Sequence, residues 1–81
     1  MIKLIVLSDQ ILVTEIEEVS SELGEPDCRM KNPFTITKDG TLIPWLNDLS
    51  NQKEFMIHSD KILTITDPNT KILDRYQKVT E

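Results

Sequence analysis

Residues 27–37 constrain the fold more than any other part of this chain, because their apolar side chains recur at alternate positions. Cys28, Met30, Phe34 and Ile36 share one parity. The side chains of the other parity are polar over most of the run: Arg29, Lys31, Thr35 and Thr37. Alternate residues of a β-strand point to opposite faces of a sheet, so this pattern predicts a strand with one apolar face. The chain is therefore expected to form a small β-domain.

Pro33 lies within this strand and has no backbone N–H to donate to a neighbouring strand. Proline is tolerated in a sheet at an edge or at a bulge, so the strand is expected to have one of these two features. An edge position would leave the strand free to pair with another chain.

Four further segments are rich in β-branched and apolar residues and are bounded by polar turns. With the run described above, they predict five strands, over about residues 2–7, 11–20, 27–37, 53–58 and 62–67. Residues 38–52 show no period and are interpreted as an insertion loop. Asp67 and Pro68 are typical of an N-cap and a first helical residue, so a short amphipathic helix is predicted over about residues 68–79.

The segment from Ile11 to Leu23 fits two structures. Leu12, Ile16 and Leu23 fall at helical spacing together with Val19. Against a helix, residues 11–14 are rich in β-formers, and Ile11, Val13 and Val19 share a parity that a long bent strand could use. The local pattern leaves both structures open, and strand is preferred partly because of the family resemblance given below.

The length of 81 residues fits one domain, 1–81, which buries only somewhat over ~60% of its unfolded surface. Such a unit gains stability from association, so a homo-oligomer is expected. The single cysteine, Cys28, has no partner for an intramolecular disulfide and fits a buried apolar role in a reducing cytoplasm. The apolar run at the start of the chain is too short for a signal peptide or a membrane span, so no membrane partner is expected.

The net charge of −5 is unevenly distributed along the chain. Residues 15–27 form an acidic block without an interleaved cation: Glu15, Glu17, Glu18, Glu22, Glu25 and Asp27. This block would repel phosphate, whereas residues 28–81 are nearly neutral. Nucleic-acid binding is thus disfavoured over one face and remains open elsewhere.

Groups able to perform chemistry are scarce. His58 is the only histidine, and no cysteine pair accompanies it, so no metal site is predicted. The paired carboxylates have no apolar surroundings to raise their pKa, and the serines have no glycine-framed elbow. Only Gly24 and Gly40 are present, which gives no phosphate-binding loop. We expect a non-enzymatic protein without a cofactor.

Several residues keep two interpretations at this point. His58 fits a turn residue or a contact to a base. Trp45 fits a lid over the core or a contact to another subunit. Arg29 and Lys31 fit solvated cations or contacts to phosphate.

Two short motifs resemble those of Sm-like domains. Residues 27–32, Asp-Cys-Arg-Met-Lys-Asn, are similar to the family's Asp-Xaa-Xaa-Met-Asn run with one residue inserted. Residues 58–61, His-Ser-Asp-Lys, stand where the family's second motif joins its last two strands. The order of Met30–Phe34, Pro44-Trp45, residues 54–57 and the terminal helix is similar to small Sm-like proteins of bacteriophages, including cyanophages. The glycine of the family's second strand and its leading helix are absent.

The resemblance implies a mainly β fold, namely a small five-stranded, strongly bent, partly open barrel with a C-terminal helix. It also implies a ring-shaped homo-oligomer, in which the fourth strand of one subunit pairs with the fifth strand of the next, and a role in binding single-stranded RNA. The implied contacts to nucleic acid are Arg29, Lys31, Asn32, His58 and Lys61. The implied subunit contacts are Phe55, Met56, Ile57, Ile62, Leu63, Ile65 and Trp45. A cytoplasmic location follows, which is the host cytoplasm if the protein is phage-encoded.

The alternative interpretation is a protein-interaction module. In it the acidic block of residues 15–27 binds a basic partner, and the loop around Trp45 supplies an apolar anchor.

Overall fold

The computed structural model describes residues 1–81 and contains six strands and one long helix. The elements are β1 (Ile2–Val6), β2 (Ile11–Glu18), β3 (Cys28–Ile36), β4 (Leu42–Pro44), β5 (Glu54–Ile57), β6 (Thr64–Thr66) and α1 (Thr70–Thr80). A 3₁₀ turn, Ser59–Lys61, joins β5 to β6. The predicted fold class, a small, mainly β domain with a C-terminal helix, is confirmed.

The segments predicted as strands all contain strands, with ends shorter by one or two residues. The segment beginning at Ile11 is a strand as far as Glu18, which resolves the choice between helix and strand. The predicted insertion loop, 38–52, contains a strand that was not expected, β4, which pairs with β3. The helix begins at Thr70, because Asn69 and not Asp67 is its N-cap: the Asn69 side chain accepts a hydrogen bond from the backbone N–H of Ile72 at 2.9 Å.

All strands pair antiparallel in one open sheet with β3 near its centre. One side of β3 pairs with β2, which pairs with β1, which pairs with β6. The other side of β3 pairs with β5 along residues 28–31 and with β4 along residues 34–36. Because β5 and β6 do not pair with each other, the sheet keeps two open edges.

A β-bulge in β3 accommodates Pro33. Val13 pairs with Phe34 and Glu15 pairs with Lys31, so Thr14 faces two residues, Asn32 and Pro33. Asn32 adopts a φ of 52°, a left-handed conformation that asparagine tolerates better than most residues. Pro33 therefore lies at a bulge in a central strand and not at an edge.

The bulge divides the apolar residues of β3 between the two faces of the sheet. Met30 is fully buried in a cluster with Ile5 and Leu12. Directly paired residues share a face, so Phe34, which pairs with Val13, lies on the face opposite Leu12. The single apolar stripe predicted from parity is wrong for this reason: the extra residue at the bulge moves the second half of the stripe to the helix side.

Helix α1 packs on that second face through Tyr76, which is 1% exposed. The Tyr76 ring meets Phe34 edge-on, with ring centroids 5.8 Å apart. Arg75 ties the same helix to the turn between β3 and β4, since its Nη1 donates to the carbonyl of Gly40 at 2.8 Å. Helix α1, with 11 residues, is the longest helix, and none of the helices has the length and apolar character needed to span a membrane.

The Tyr76 hydroxyl contacts three backbone groups at the bulge, one of which, the Lys31 carbonyl, also accepts a hydrogen bond from Thr14 Oγ1 at 2.9 Å. It accepts a hydrogen bond from the N–H of Glu15 at 3.2 Å. It donates towards the carbonyls of Lys31 and Asn32, at 3.1 and 2.9 Å. Burial raises the pKa of the Tyr76 hydroxyl, so its protonated, donating form persists to higher pH than in a free tyrosine.

Candidate functional site

Arg29 and Lys31 lie on one face of β3, as predicted, but carboxylates surround them. Arg29 Nη1 lies 3.1 Å from Glu17 Oε1, and Arg29 Nε lies 4.0 Å from Glu54 Oε1. Lys31 pairs directly with Glu15 on β2 and with Glu54 on β5. The ion pairs compensate part of the positive charge of Arg29, and the carboxylates on the strands facing Lys31 make the potential around it more negative, so both cations attract phosphate less.

Asn32 stands apart from the other predicted contacts to nucleic acid. Its backbone is held at the bulge, because its N–H donates to the carbonyl of Lys53 at 2.7 Å. It lies five residues along β3 from Asp27, roughly 16 Å at the rise of a β-strand.

His58 precedes the 3₁₀ turn and Lys61 is its last residue, and the turn lies beside Asp27, just before the start of β3. The turn is fixed by the Asp27 carboxylate, which accepts hydrogen bonds from the Ser59 N–H at 2.8 Å and the Ser59 Oγ at 2.7 Å. The hydrogen bond from the Ser59 hydroxyl is the main cause that holds the pKa of Asp27 below its usual value. Asp27 therefore positions the turn. One subunit does not bring His58 and Lys61 together with Asn32.

Cys28 is buried at the start of β3, as expected for a small apolar residue. Burial raises the pKa of its thiol, and the neighbouring Asp27 adds to the effect. Since the thiolate is the nucleophilic form, this shift lowers the fraction of Cys28 that can react as a nucleophile. No group of three or more His, Cys, Asp or Glu residues lies close enough to hold a metal ion.

The predicted subunit contacts divide into two groups. Met56, Leu63 and Ile65 are exposed by 47%, 66% and 50%. The others pack against the cluster of Ile5, Leu12 and Met30: Trp45, Phe55, Ile57 and Ile62. Phe55 and Ile57 point towards the core, whereas Met56 points to solvent. The two-residue period of a strand predicts this alternation from the sequence alone. Only the exposed group is available to a second chain.

The two open edges differ in their side chains. β6 consists of Thr64, Ile65 and Thr66, which are all β-branched, exposed and uncharged. β5 carries one charge, Glu54, near Arg29. Sheet edges in stable monomers are usually blocked by charge, proline or a covering segment. β6 has neither charge nor proline.

The acidic block lies mainly in the second half of β2 and the following loop. Its glutamates are exposed: Glu15, Glu17, Glu18, Glu22 and Glu25. Trp45, the proposed apolar anchor of the alternative interpretation, packs instead against Phe55, with ring centroids 5.4 Å apart. Leu49, 83% exposed, is the more accessible apolar side chain of that loop.

Comparison with known proteins places the chain in a family. A family model described as "Family of unknown function (DUF6561)" matches residues 1–81. The chain belongs to the DUF6561 family. No curated protein matches the chain. The DUF6561 description assigns no activity, so a functional proposal for this member depends on its sheet edges and surface chemistry.

Proposed function

We propose that this chain is a non-enzymatic, Sm-like subunit that assembles into a homo-oligomeric ring through pairing of β5 of one copy with β6 of the next. The observation that carries the proposal is the unprotected edge of β6, formed by three exposed and uncharged residues. An edge of this kind has free backbone donors and acceptors that a second strand can satisfy. β5, at the other end of the sheet, supplies such a strand.

The chemistry of both edges suits this contact. Met56 on β5 and Leu63 and Ile65 at β6 are between 47% and 66% exposed, so pairing removes apolar surface from water. The contact is head-to-tail because its two surfaces differ. Such contacts form rings when the rotation between subunits closes and open filaments when it does not.

Ring assembly also gives a rationale for RNA binding. The turn carrying His58 and Lys61 lies between β5 and β6, so in the ring it recurs beside each subunit contact. A single strand of RNA would then meet Lys61 and His58 of several copies at once, which raises its avidity, while Asp60 in the turn and Asp27 beside it oppose phosphate. Arg29 and Lys31 contribute less, since Glu17 and Glu54 lie beside Arg29, and Glu15 and Glu54 pair with Lys31. Asn32 contributes from the bulge in the middle of β3.

Light scattering coupled to size-exclusion chromatography tests the assembly. The wild type is expected to elute as an oligomer and Ile65→Lys as a monomer, because a lysine on the edge opposes strand pairing. Ile11→Lys is the matched control: Ile11 is 42% exposed but lies on β2, inside the strand order. Equal masses for wild type and Ile65→Lys would contradict the proposed edge.

The RNA contact is tested by fluorescence anisotropy with oligo-U and oligo-A at several salt concentrations. Lys61→Gln is expected to weaken binding, whereas Lys38→Gln, an exposed cation on the turn before β4, is the matched control. Absence of salt-sensitive binding to the wild-type ring would remove RNA from the proposal and leave the assembly intact.

The second candidate function is a protein-interaction module. The exposed glutamates of residues 15–25 favour it, since no Lys or Arg in that block would repel a basic partner. Charge reversal at Glu17 and Glu18 separates the two functions. Loss of a basic partner with RNA affinity unchanged favours the module, and tighter RNA binding alone favours the ring.

A further inference from the structure

A pocket of about 240 Å³ opens between the bulge of β3, the loop before β5 and the last turn of α1. Its apolar side includes Trp45 and Phe55, whose rings meet edge-on. Its polar side includes the amides of Asn32, Asn47 and Gln52. The volume is just below the range of about 300–1,000 Å³ typical of ligand sites, so the pocket suits a single ring system and not an extended molecule.

Backbone hydrogen bonds hold the walls of this pocket in place. The N–H of Trp45 donates to the carbonyl of Pro33 at 2.9 Å, which fixes the loop against the bulge. The N–H of Asn32 donates to the carbonyl of Lys53 at 2.7 Å, which fixes the strand on the other side. Farther along the loop, Ser50 N–H donates to the carbonyl of Leu46 at 2.9 Å. A preformed pocket of this kind binds without a large ordering cost.

The charge of the pocket differs from that of the whole chain. The protein carries 14 acidic residues and a net charge of −5, yet none of the 12 residues lining the pocket is Asp or Glu. Lys53 is the one ionisable group in the lining. The three amides each supply donors and acceptors at once, a combination that matches the edge of a nitrogen heterocycle. Aromatic rings supply the apolar surface that such a ring packs against.

We propose that this pocket binds a small, planar heteroaromatic anion, with the ring against Trp45 and Phe55, its polar edge on the amides and its acidic group near Lys53. The ligand is a free small molecule whose ring system fills the pocket; in a mononucleotide, the sugar and phosphate would lie outside the ring's subsite, towards Lys53. The site lies within one subunit: one of its lining residues, Phe55, belongs to β5 and none belongs to β6, and its ligand is tested separately from ring assembly.

Fluorescence titration measures this binding directly, because Trp45 is the only tryptophan of the chain. The probes are adenosine 5′-monophosphate, adenosine and inorganic phosphate. We expect saturable quenching by the monophosphate and several-fold weaker binding of adenosine. Inorganic phosphate is expected neither to bind nor to compete. Calorimetry on the same samples gives an independent affinity.

Two variants and two matched controls locate the site. Lys53→Gln and Asn47→Ala are each expected to weaken binding of the monophosphate roughly threefold to fivefold. Lys38→Gln and Asn51→Ala make the same chemical changes at exposed positions outside the pocket and are expected to leave affinity unchanged. Circular dichroism confirms that each variant is folded.

Three results would overturn the proposal. The first is the absence of saturable binding of adenosine 5′-monophosphate at millimolar concentration. The second is binding that Lys53→Gln and Asn47→Ala leave unchanged. The third is binding of oligonucleotides without binding of the monophosphate, which would assign the interaction to an RNA surface. The oligomeric state, measured on the same samples, tests the ring proposal separately.

Discussion

Replacement of Tyr76 by phenylalanine isolates the hydroxyl that joins α1 to the bulge. The ring and its edge-on contact with Phe34 are retained. The N–H of Glu15 and the carbonyls of Lys31 and Asn32 lose their hydroxyl partner. Because Tyr76 is 1% exposed, water has little access to replace it.

The expected loss of unfolding free energy for Tyr76→Phe is about 2 kcal/mol, within the range of about 1–3 kcal/mol for a buried group left without its partner. For a domain of this size, that corresponds to a fall in Tm of roughly 8–16 °C. The upper part of the range would mean that the N–H of Glu15 and the carbonyl of Asn32 both remain unpaired, whereas the Lys31 carbonyl keeps its hydrogen bond from Thr14 Oγ1.

Urea unfolding, followed by Trp45 fluorescence and by circular dichroism, measures this loss. Association would make stability depend on concentration, so the comparison is made in the Ile65→Lys background at fixed protein concentration. Gln77→Ala is the control, because Gln77 is an exposed residue of the same helix and its loss is expected to change stability by less than about 0.5 kcal/mol. A change below about 0.5 kcal/mol for Tyr76→Phe would refute the role assigned to the hydroxyl.

Three further predictions concern neighbouring contacts. Burial raises the pKa of Tyr76 in the folded state, so above about pH 10 the Tyr76 hydroxyl loses its proton more readily in the unfolded chain, and the free energy of unfolding decreases as pH rises. Urea unfolding at several pH values above about 10 should show a smaller decrease for Tyr76→Phe than for the wild type. Gly40→Ala places a Cβ on a residue with a φ of 86°, 2.7 Å from Arg75 Nη1, and should lower the free energy of unfolding, measured with urea, by about 1–2 kcal/mol. An unchanged urea midpoint would show that the turn can accommodate the methyl group. Ser59→Ala removes the main hydrogen bond to Asp27, so the pKa of that carboxyl, followed by NMR titration, should rise towards its ordinary value; an unchanged pKa would assign its lowering to another cause.

The strands could be predicted from the sequence because their periods and compositions are local properties. β-branched residues at 11–14 outweighed the helical spacing of Leu12 and Ile16, since pairing with both β1 and β3 stabilises this segment as a strand. The helix start was misplaced by two residues because Asp67 and Asn69 both precede Thr70 and either can cap a helix.

Properties that depend on strand register could not be predicted in the same way. Pro33 indicated an edge or a bulge, and only the pairing of β2 with β3 distinguishes them. That same register places Glu17 beside Arg29, which changes the interpretation of a predicted phosphate contact. The role of the Tyr76 hydroxyl depends on residues 44, 45 and 61 positions earlier in the chain, separations that no local pattern encodes.

Native mass spectrometry of the complete chain tests the central proposal, assembly through β5 and β6, most directly. The subunit mass is 9.3 kDa. A closed head-to-tail ring predicts one dominant species with a mass that is a fixed multiple of 9.3 kDa and larger than a dimer. Dilution is expected to leave the number of subunits in this species unchanged until the ring dissociates. A spectrum dominated by the 9.3 kDa monomer, by a dimer, or by an unbounded series of multiples would contradict the ring.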